Sequence, residues 1–577
     1  MGSSRPYRSR LIRPCDGCRK RRIACIRDKT DEDCSLCRHR NQHCTFEDAP
    51  QVRRRLGNRQ KAHPNPPSVA ASNSNASCGN DSPESIISQL DTSPNGTTVF
   101  PNRTCLYVGS SGDHDPNLLR HLVYDDLGRF GDDLWTVWRV SNPDTELSYL
   151  AIYPNSHLDC HEEMFCQEKI DSMFGPHEDE LIRLYYAHFH CSYPILESEE
   201  VFCAQVNSQK IPSSLLSIVL YHGSQFWCYS PLATTTQLHP NYEIIPWIFQ
   251  SLTFEVRTPN LHVIQAILLF MQVIPGQIRA PNHPGFWPLT NMLVGTAQEI
   301  GLHVNPENWN ILPSERKLRR ILWWAVFTHD KWMAHTLGRP SHIVSHNWNV
   351  KPLALTDFAD DENRISIEGI SYAQAFISLC SLTRVLSDVC DNFYSIRAKS
   401  ETSPTDVVLS KAEIYLSEIQ KCTSKMPEIT VESPIHDYTT KLMAFFVSLS
   451  ALRAALSASN TQQSDRAGYT ASSIIELIRD RLFPIFEALK TARSTGVWLS
   501  YMRGSLTMTG SLLITILLSS VEEQDFHDRQ VLLVQYHNYL KSLGDLHTQT
   551  GHFEFTLLPL RRLNLIMEQL FGAERTT

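Results

Sequence analysis

The chain has 577 residues, of which 42% are hydrophobic and 20% are charged, so it is long enough for two to four domains with a sizeable core. No uninterrupted run reaches the roughly 18 apolar residues that a membrane-spanning helix needs. The first 14 residues are basic but lack the apolar stretch of a secretory signal. These features argue against a membrane or secreted protein, and we expect most thiols to stay reduced.

Charge is distributed unevenly along the chain. Residues 1–61 contain 17 Lys and Arg against 7 Asp and Glu, a net charge of +10. The remaining residues contain 36 against 54, a net charge of −18, and the two sums give the overall −8. A basic N-terminal segment on an otherwise acidic chain indicates that this segment binds a polyanion.

Composition predicts four segments in chain order. Residues 1–61 form a small basic, cysteine-rich domain. Residues 62–105 are rich in Ser, Asn, Pro and Gly and predict a disordered linker. Residues 106–360 and 361–577 form two helical series, which together predict a large all-α body, so the fold class is mostly α.

Helices are predicted where apolar residues recur every three or four positions. Two examples in the second series are the sets Val408, Ala412, Leu416, Ile419 and Phe445, Leu449, Leu452, Leu456. In the first series, Ser314 is a candidate N-cap of a helix of about six turns that Gly338 and Pro340 would end. Strand-like alternation is scarce, which favours an all-α body.

Six of the 16 cysteines lie within thirty residues, in two copies of one unit, a CxxC pair followed after six residues by a third cysteine. The predicted ligands are Cys15, Cys18, Cys25, Cys34, Cys37 and Cys44. A structural zinc ion takes four ligands, so six thiolates can hold two ions only if two of the sulfurs bridge both. The spacing therefore predicts two Zn²⁺ ions in one thiolate cluster, and metal binding should supply much of the folding energy of this small domain.

The cysteine pattern resembles the Zn(2)-C6 binuclear cluster that binds DNA in fungal transcription factors. The resemblance implies that Cys15 and Cys34 bridge the two metals and that a helix enters the major groove over a CGG-type triplet. It makes Arg22, beside Arg21, the main reader, because an arginine fork can pair with guanine O6 and N7. Phosphate contacts are expected from the other basic residues, Arg19, Lys20, Arg38, Arg40, Arg53, Arg54 and Arg55. The same basic runs fit a nuclear localisation signal, so we predict a nuclear protein.

Residues 175–360 resemble a second element of the same family, the fungal-specific regulatory domain or middle homology region. The matching motifs are Gly301-Leu302-His303, Glu315 with Arg319 and Arg320, Trp323-Trp324, Asp330 and Gly338-Arg339-Pro340, preceded by residues 181–202. We expect the two tryptophans to pack in the core, and the two arginines and Asp330 to form structural ion pairs.

Both resemblances imply a sequence-specific transcription factor for RNA polymerase II genes that regulates one metabolic pathway or a secondary-metabolite gene cluster. Its expected partners are double-stranded DNA and the transcription machinery. No P-loop, GxGxxG, HExxH or GxSxG motif occurs, so we do not predict an enzyme. The alternative is a co-regulator that acts through partner proteins without binding DNA, which is favoured by Ala24 where the family carries a basic residue.

The segment after the cysteines offers little for a coiled coil. Ile86, Ile87 and Leu90 fall far short of three heptads. A homodimer would therefore have to use the helical body, and otherwise the protein binds DNA as a monomer.

Overall fold

The computed structural model describes residues 15–16, 33–34, 37–38, 43–45, 98, 100, 103–132, 135–141, 147–155, 167–236, 238, 244–273, 285–360, 364–401, 403–424, 426–461, 466–492, 496–550 and 553–571. The chain divides into two compact units, residues 1–80 and 81–577. The described part of the first unit consists of short pieces around four cysteines. The second unit is mostly helical, which confirms the predicted fold class.

The second unit begins with a four-stranded antiparallel sheet in the order β1-β4-β3-β2. Its strands are β1 (Arg103–Tyr107), β2 (Arg129–Gly131), β3 (Thr136–Arg139) and β4 (Tyr149–Pro154), with a short helix α1 (Pro116–Leu119) between the first two. Because side chains alternate between the two faces of a strand, Trp138 and Ile152 pack with Trp309 on one face, while Val137 and Ala151 lie on the other. The sheet thus has a separate small core on each face.

This sheet corrects the prediction of an all-α body. Each strand has at most six residues, too few for a clear alternating pattern to stand out. The predicted linker boundary at residue 105 falls inside β1, and the two described residues just before it, Thr98 and Phe100, are buried.

Seven helices build the first part of the helical body. They are α2 (Gln167–Phe174), α3 (Glu178–Leu184), α4 (Glu199–Asn207), α5 (Ser213–Ser224), α6 (Ile244–Glu255), α7 (Leu261–Phe270) and α8 (Phe286–Glu299). A π-helical turn, Tyr185–His190, follows α3 directly. Helix α7 is buried along its whole length, as expected for a core helix that is apolar on all sides.

Ten more helices complete the described body. They are α9 (Pro313–Leu337), α10 (Ile367–Val389), α11 (Ile396–Ser400), α12 (Thr405–Thr423), α13 (Ile435–Thr461), α14 (Arg466–Leu477), α15 (Phe483–Thr491), α16 (Met502–Leu518), α17 (Glu523–Thr550) and α18 (Leu557–Phe571). Two further π-helical turns, Cys390–Tyr394 and Ile478–Leu482, follow α10 and α14. Ala412 and Ile419 on α12 are buried, which confirms the helical face predicted there.

One hydrophobic core runs through the helical body from Ile170 to Leu563. It includes all four residues of the predicted Phe445 set on α13. The two helical series that the sequence suggested therefore share one core.

Most residues of helix α9 are buried in this core. It begins with Pro313 at its first position, and Leu312 precedes it without a side-chain cap, so the predicted N-cap Ser314 lies inside the helix. Proline suits this position because its missing N–H would be unpaired there in any case. Gly338 ends the helix with φ of 64°, as predicted, since glycine takes the left-handed conformation without strain.

One helix among the described residues, Ile435–Asn460, is long and apolar enough to cross a membrane. Of its most apolar window, 83% is buried inside the protein, and core helices of globular proteins meet the same criterion. Asp437, Lys441 and Arg453 interrupt this helix, so its sequence contains no uninterrupted apolar run of 18 residues.

Candidate metal centre

Four cysteines converge in the first unit, although they come from both halves of the repeated pattern. The sulfur atoms of Cys15, Cys34, Cys37 and Cys44 all lie within 4.8 Å of one another. The Cys15 sulfur is 3.9 Å from that of Cys34 and 3.8 Å from that of Cys37. One ion with four sulfur ligands at roughly 2.3 Å in a tetrahedron separates the sulfurs by roughly 3.8 Å, so the spacing fits a four-sulfur metal site.

Backbone N–H groups hold these sulfurs in place. The amide of Cys37 donates to the Cys34 sulfur at 3.4 Å, within the second CxxC turn. The amide of Cys34 donates to the Cys44 sulfur at 3.2 Å. The Asp33 carboxylate accepts a hydrogen bond from the amide of Cys44 at 2.6 Å, which holds the segment around Cys44 next to Cys34. Asp33 was not predicted as part of the site, because its partner Cys44 lies eleven residues further along the chain.

The surroundings of the sulfur atoms favour the neutral thiols over the thiolates. Burial raises the pKa of the Cys37 thiol, and hydrogen bonds with Cys34, Cys44 and Cys15 raise it further. Burial also raises the pKa of Cys44. A cation among the sulfurs reverses this balance, because it compensates the negative charge of the thiolates. A soft thiolate set of this kind suits zinc.

The structure describes only part of the predicted site. Cys18, Cys25 and the basic residues Arg19, Lys20, Arg21, Arg22, Arg40, Arg53, Arg54 and Arg55 lie outside the described residues. Arg38 is described, and its guanidinium donates to the backbone oxygen of Asp33 at 3.1 Å. Arg38 is exposed at the surface of the cluster.

The motifs that resemble the regulatory domain, which we call the body signature, include charged residues that form structural contacts, as predicted. The Arg319 guanidinium contacts the Glu315 carboxylate at 3.0 Å and donates to the Ile300 carbonyl at 3.0 Å. It also donates to the Thr98 hydroxyl at 2.8 Å, and that hydroxyl and the Thr98 amide donate to Glu315. The pair thus holds the chain just before β1 against α9. Thr98 was not predicted to take part in this contact, because the composition around it indicated a linker.

Asp330 shapes the turn that follows Gly338. Its carboxylate accepts from the amides of His342 and Ile343, both at 3.1 Å, and from the Ser341 hydroxyl at 2.5 Å. Burial raises the pKa of Asp330, but the hydrogen bonds from His342 and Ser341 outweigh it and leave the pKa below its usual value. The Asp330 carboxylate is therefore a structural element of this turn.

The tryptophan pair is buried in the core, as predicted. Trp323 and Trp324 expose at most 1% of their surface. The Trp324 indole donates to the Lys351 carbonyl at 2.8 Å, which fixes the chain after the Asp330 turn. Arg320 pairs with Asp357 further along the same connection. The signature residues thus tie α9 to the segment that leads to α10.

Residues 182–424 match the family described as the fungal specific transcription factor domain. The match covers the helical body from α3 to the end of α12. Together with the relatives below, this match supports a role for the chain in the regulation of transcription in fungi.

Three relatives are regulators of transcription in fungi. An uncharacterized transcriptional regulatory protein of Schizosaccharomyces pombe is 24% identical over 459 residues, 71% of this chain and 68% of the relative. Transcriptional activator protein DAL81 of Saccharomyces cerevisiae is 22% identical over 82% of this chain and 52% of its own length. Cutinase transcription factor 1 alpha of Fusarium vanettenii is 27% identical over 46% of this chain and 29% of its own length. The chain thus spans about two thirds, one half and under one third of these relatives. No solved structure matches the chain.

Proposed function

We propose that this protein is a sequence-specific DNA-binding transcription factor for RNA polymerase II genes, and that it regulates one metabolic pathway or one secondary-metabolite gene cluster in the nucleus. The observation that carries the proposal is the four-sulfur site formed by Cys15, Cys34, Cys37 and Cys44. It lies in a segment of charge +10, in a chain whose body matches fungal transcription regulators. A small metal-stabilised module with excess positive charge is suited to a DNA duplex.

The proposed cofactor is a pair of Zn²⁺ ions shared by six cysteines. The four-sulfur group supports this arrangement because it joins Cys15 of the first half with all three cysteines of the second. Two independent halves would leave three ligands each, whereas sharing Cys15 and Cys34 gives each ion four. Cys18 and Cys25 would complete the site of the first ion.

DNA recognition is assigned to the basic residues around the cluster. Arg22, beside Arg21, reads guanine in a CGG-type triplet through its two-pronged guanidinium. The other basic residues, Arg19, Lys20, Arg38, Arg40 and Arg53 to Arg55, contact phosphates and orient the module. The exposed position of Arg38 is compatible with that role. Affinity should then fall with salt by about 0.9 log units per log unit for each phosphate contact.

The test is binding of the full chain to a duplex with CGG triplets and to a scrambled duplex of the same composition. We expect tighter binding to the CGG duplex, and Arg22→Ala should remove most of that preference because a good guanine contact contributes about 1–3 kcal/mol of discrimination. Arg397→Ala is the matched control, since Arg397 is exposed on the helical body. The mass of the complex in analytical ultracentrifugation distinguishes a homodimer from a monomer.

A second candidate function is a co-regulator that acts through partner proteins, favoured by Ala24 in place of a basic residue. Under this alternative, the full chain loaded with zinc binds the CGG and scrambled duplexes equally and weakly. That result would overturn the proposal of sequence-specific binding while leaving the zinc cluster in place.

A further inference from the structure

A cavity of about 360 Å³ opens between α9, α10 and α12 in the helical body. Its volume falls at the lower end of the range for small-molecule sites. Three different elements line it, together with the segment 352–353 that follows the Asp330 turn. The cavity therefore lies where the signature helix α9 meets the helices that follow it.

The floor of the cavity is apolar and well buried. Trp324 of α9, Leu353 of the connecting segment, and Cys380 and Val385 of α10 line it, and each exposes 7% or less of its surface. Trp324 is held by its hydrogen bond to Lys351, so this part of the floor is preformed. Such a floor accommodates a compact apolar group of a ligand.

The rim carries two positive and two negative side chains. Arg384 and Asp388 come from α10, and Glu418 and Lys421 come from α12. They act on one another across the cleft: burial raises the pKa of Asp388, the Arg384 charge lowers it and the Glu418 charge raises it. Both signs of charge therefore meet at the mouth of a single apolar cavity.

The helix spacing of these charges would allow them to pair within each helix, four residues apart on α10 and three apart on α12. Pairs with the same spacing and order close elsewhere, at 2.9 Å in the pairs Arg397–Glu401 and Glu487–Lys490. Among the described residues, no side-chain hydrogen bond or ion pair forms at Arg384, Asp388, Glu418 or Lys421. The four charged side chains line the mouth of the cavity, where they can pair with the charges of a ligand.

The backbone next to the rim is irregular as well. Helix α10 passes into the π-helical turn Cys390–Tyr394 two residues after Asp388. Such turns are rare, and they occur frequently at functional sites. Asn392 in this turn donates to the Asp388 carbonyl at 2.9 Å and to the Tyr415 hydroxyl of α12 at 2.9 Å. The turn thus links the two helices that supply the rim charges.

We propose that this cavity binds a small zwitterion with an apolar side chain, of the apolar α-amino acid class. The side chain of the ligand packs on Trp324 and Val385. Its carboxylate is met by Arg384 and Lys421, and its ammonium by Asp388 and Glu418. Binding at this site does not depend on DNA recognition by the first unit.

The test measures ligand binding to the zinc-loaded full chain. Binding is detected by calorimetry and by the shift of the melting temperature. The probes are leucine, isoleucine, methionine, phenylalanine, tyrosine and tryptophan, each compared with its N-acetyl and its methyl-ester derivative. We expect at least one free amino acid to bind and raise the melting temperature, and both of its derivatives to bind at least tenfold more weakly because each removes one of the two charges.

Two variants locate the site. Arg384→Gln and Asp388→Asn should each weaken binding at least tenfold with little change in the melting temperature of the free protein, since both side chains are exposed. Glu413→Gln is the control, because Glu413 is an exposed residue of α12 that does not line the cavity. The proposal is overturned if none of the six amino acids binds with a dissociation constant below 10 mM, an order-of-magnitude threshold for a specific small-ligand site. It is also overturned if binding is unchanged in both rim variants, or if the blocked derivatives bind as well as the free amino acid.

Discussion

The two units of this protein reach a defined structure by different means. In the first unit, four sulfur atoms from both halves of the cysteine repeat lie within 4.8 Å of one another, and among the described residues the cluster around them contains only cysteines. In the second unit, one core runs from Ile170 to Leu563 and buries whole helices. Folding of the first unit should therefore depend on metal, and that of the second on packing. The comparison can be tested by removing one contribution at a time.

The largest expected effect is loss of Cys34, which we propose as a ligand shared by both ions. Cys34→Ser should abolish stable zinc binding and DNA binding, because structural zinc contributes about 10–16 kcal/mol in small zinc modules. The melting transition of the body should stay unchanged. Metal content by mass spectrometry and circular dichroism during heating measure the two effects. Cys105→Ser is the control, since this buried cysteine lies in the β-sheet core. Two zinc ions per chain in Cys34→Ser would contradict the shared-ligand arrangement.

The second largest effect is expected at the buried ion pair that holds Thr98 against α9. Arg319→Met leaves the Glu315 carboxylate buried without its partner and should lower the free energy of unfolding by about 3–5 kcal/mol. Urea titration followed by tryptophan fluorescence measures the change. Arg397→Met removes an exposed pair and should leave the unfolding midpoint unchanged. Equal effects of the two substitutions would show that the buried pair does not stabilise the body.

The sequence predicted features that depend on residue spacing. The cysteine repeat predicted a shared thiolate site, and four of its six members meet in the described structure. Apolar periodicity predicted α12, and Gly338 predicted the end of α9, because a left-handed residue at this position needs no long-range partner. Each of these signals lies within one short stretch of the chain, thirty residues for the cysteines and fewer for α12 and Gly338.

The features that the sequence did not predict depend on distant contacts. Thr98 pairs with residues more than 200 positions away, so local composition placed it in a linker. The strands of the sheet are short, and β1 pairs with β4, which lies about 45 residues further along the chain. Ser314 was expected to cap α9, but proline one position earlier begins the helix. The cavity at Trp324 requires three helices to meet, which no local pattern shows.

The third expected effect is a loss of stability of the helical body as the pH falls. Burial lowers the pKa of His329 to about 4, although the nearby Asp330 charge raises it. The unfolded chain takes up a proton near pH 6.5 and the folded body only near pH 4, so the stabilisation is full above pH 6.5 and is lost as the pH falls through that window. The loss amounts to about 3 kcal/mol for one such histidine.

Urea titrations at pH 7.5 and pH 5, on protein whose zinc has been chelated, separate this effect from the first unit. His329→Gln should show a shallower fall in stability between the two values than the native chain. The fall should not vanish, because burial also lowers the pKa to about 4 in His190, His222, His335 and His436. An identical fall in the variant and the native chain would mean that His329 can take up a proton in the folded body.

The smallest expected effect tests how closely the body helices pack. A methyl group at Gly223 of α5 would meet the carbonyl oxygen of Leu181 on α3 well inside van der Waals contact, and a backbone oxygen cannot easily move aside. Gly223→Ala should therefore destabilise the body by about 1–3 kcal/mol. At Gly295 of α8, no described atom outside the helix's own backbone lies within 4 Å of such a methyl group, so Gly295→Ala should stabilise by about 0.5–1 kcal/mol through helix propensity alone. A lower melting temperature for Gly223→Ala together with a higher one for Gly295→Ala would show that α3 and α5 are in close backbone contact. A higher melting temperature for both variants would mean that α3 and α5 pack less closely than their backbone positions indicate.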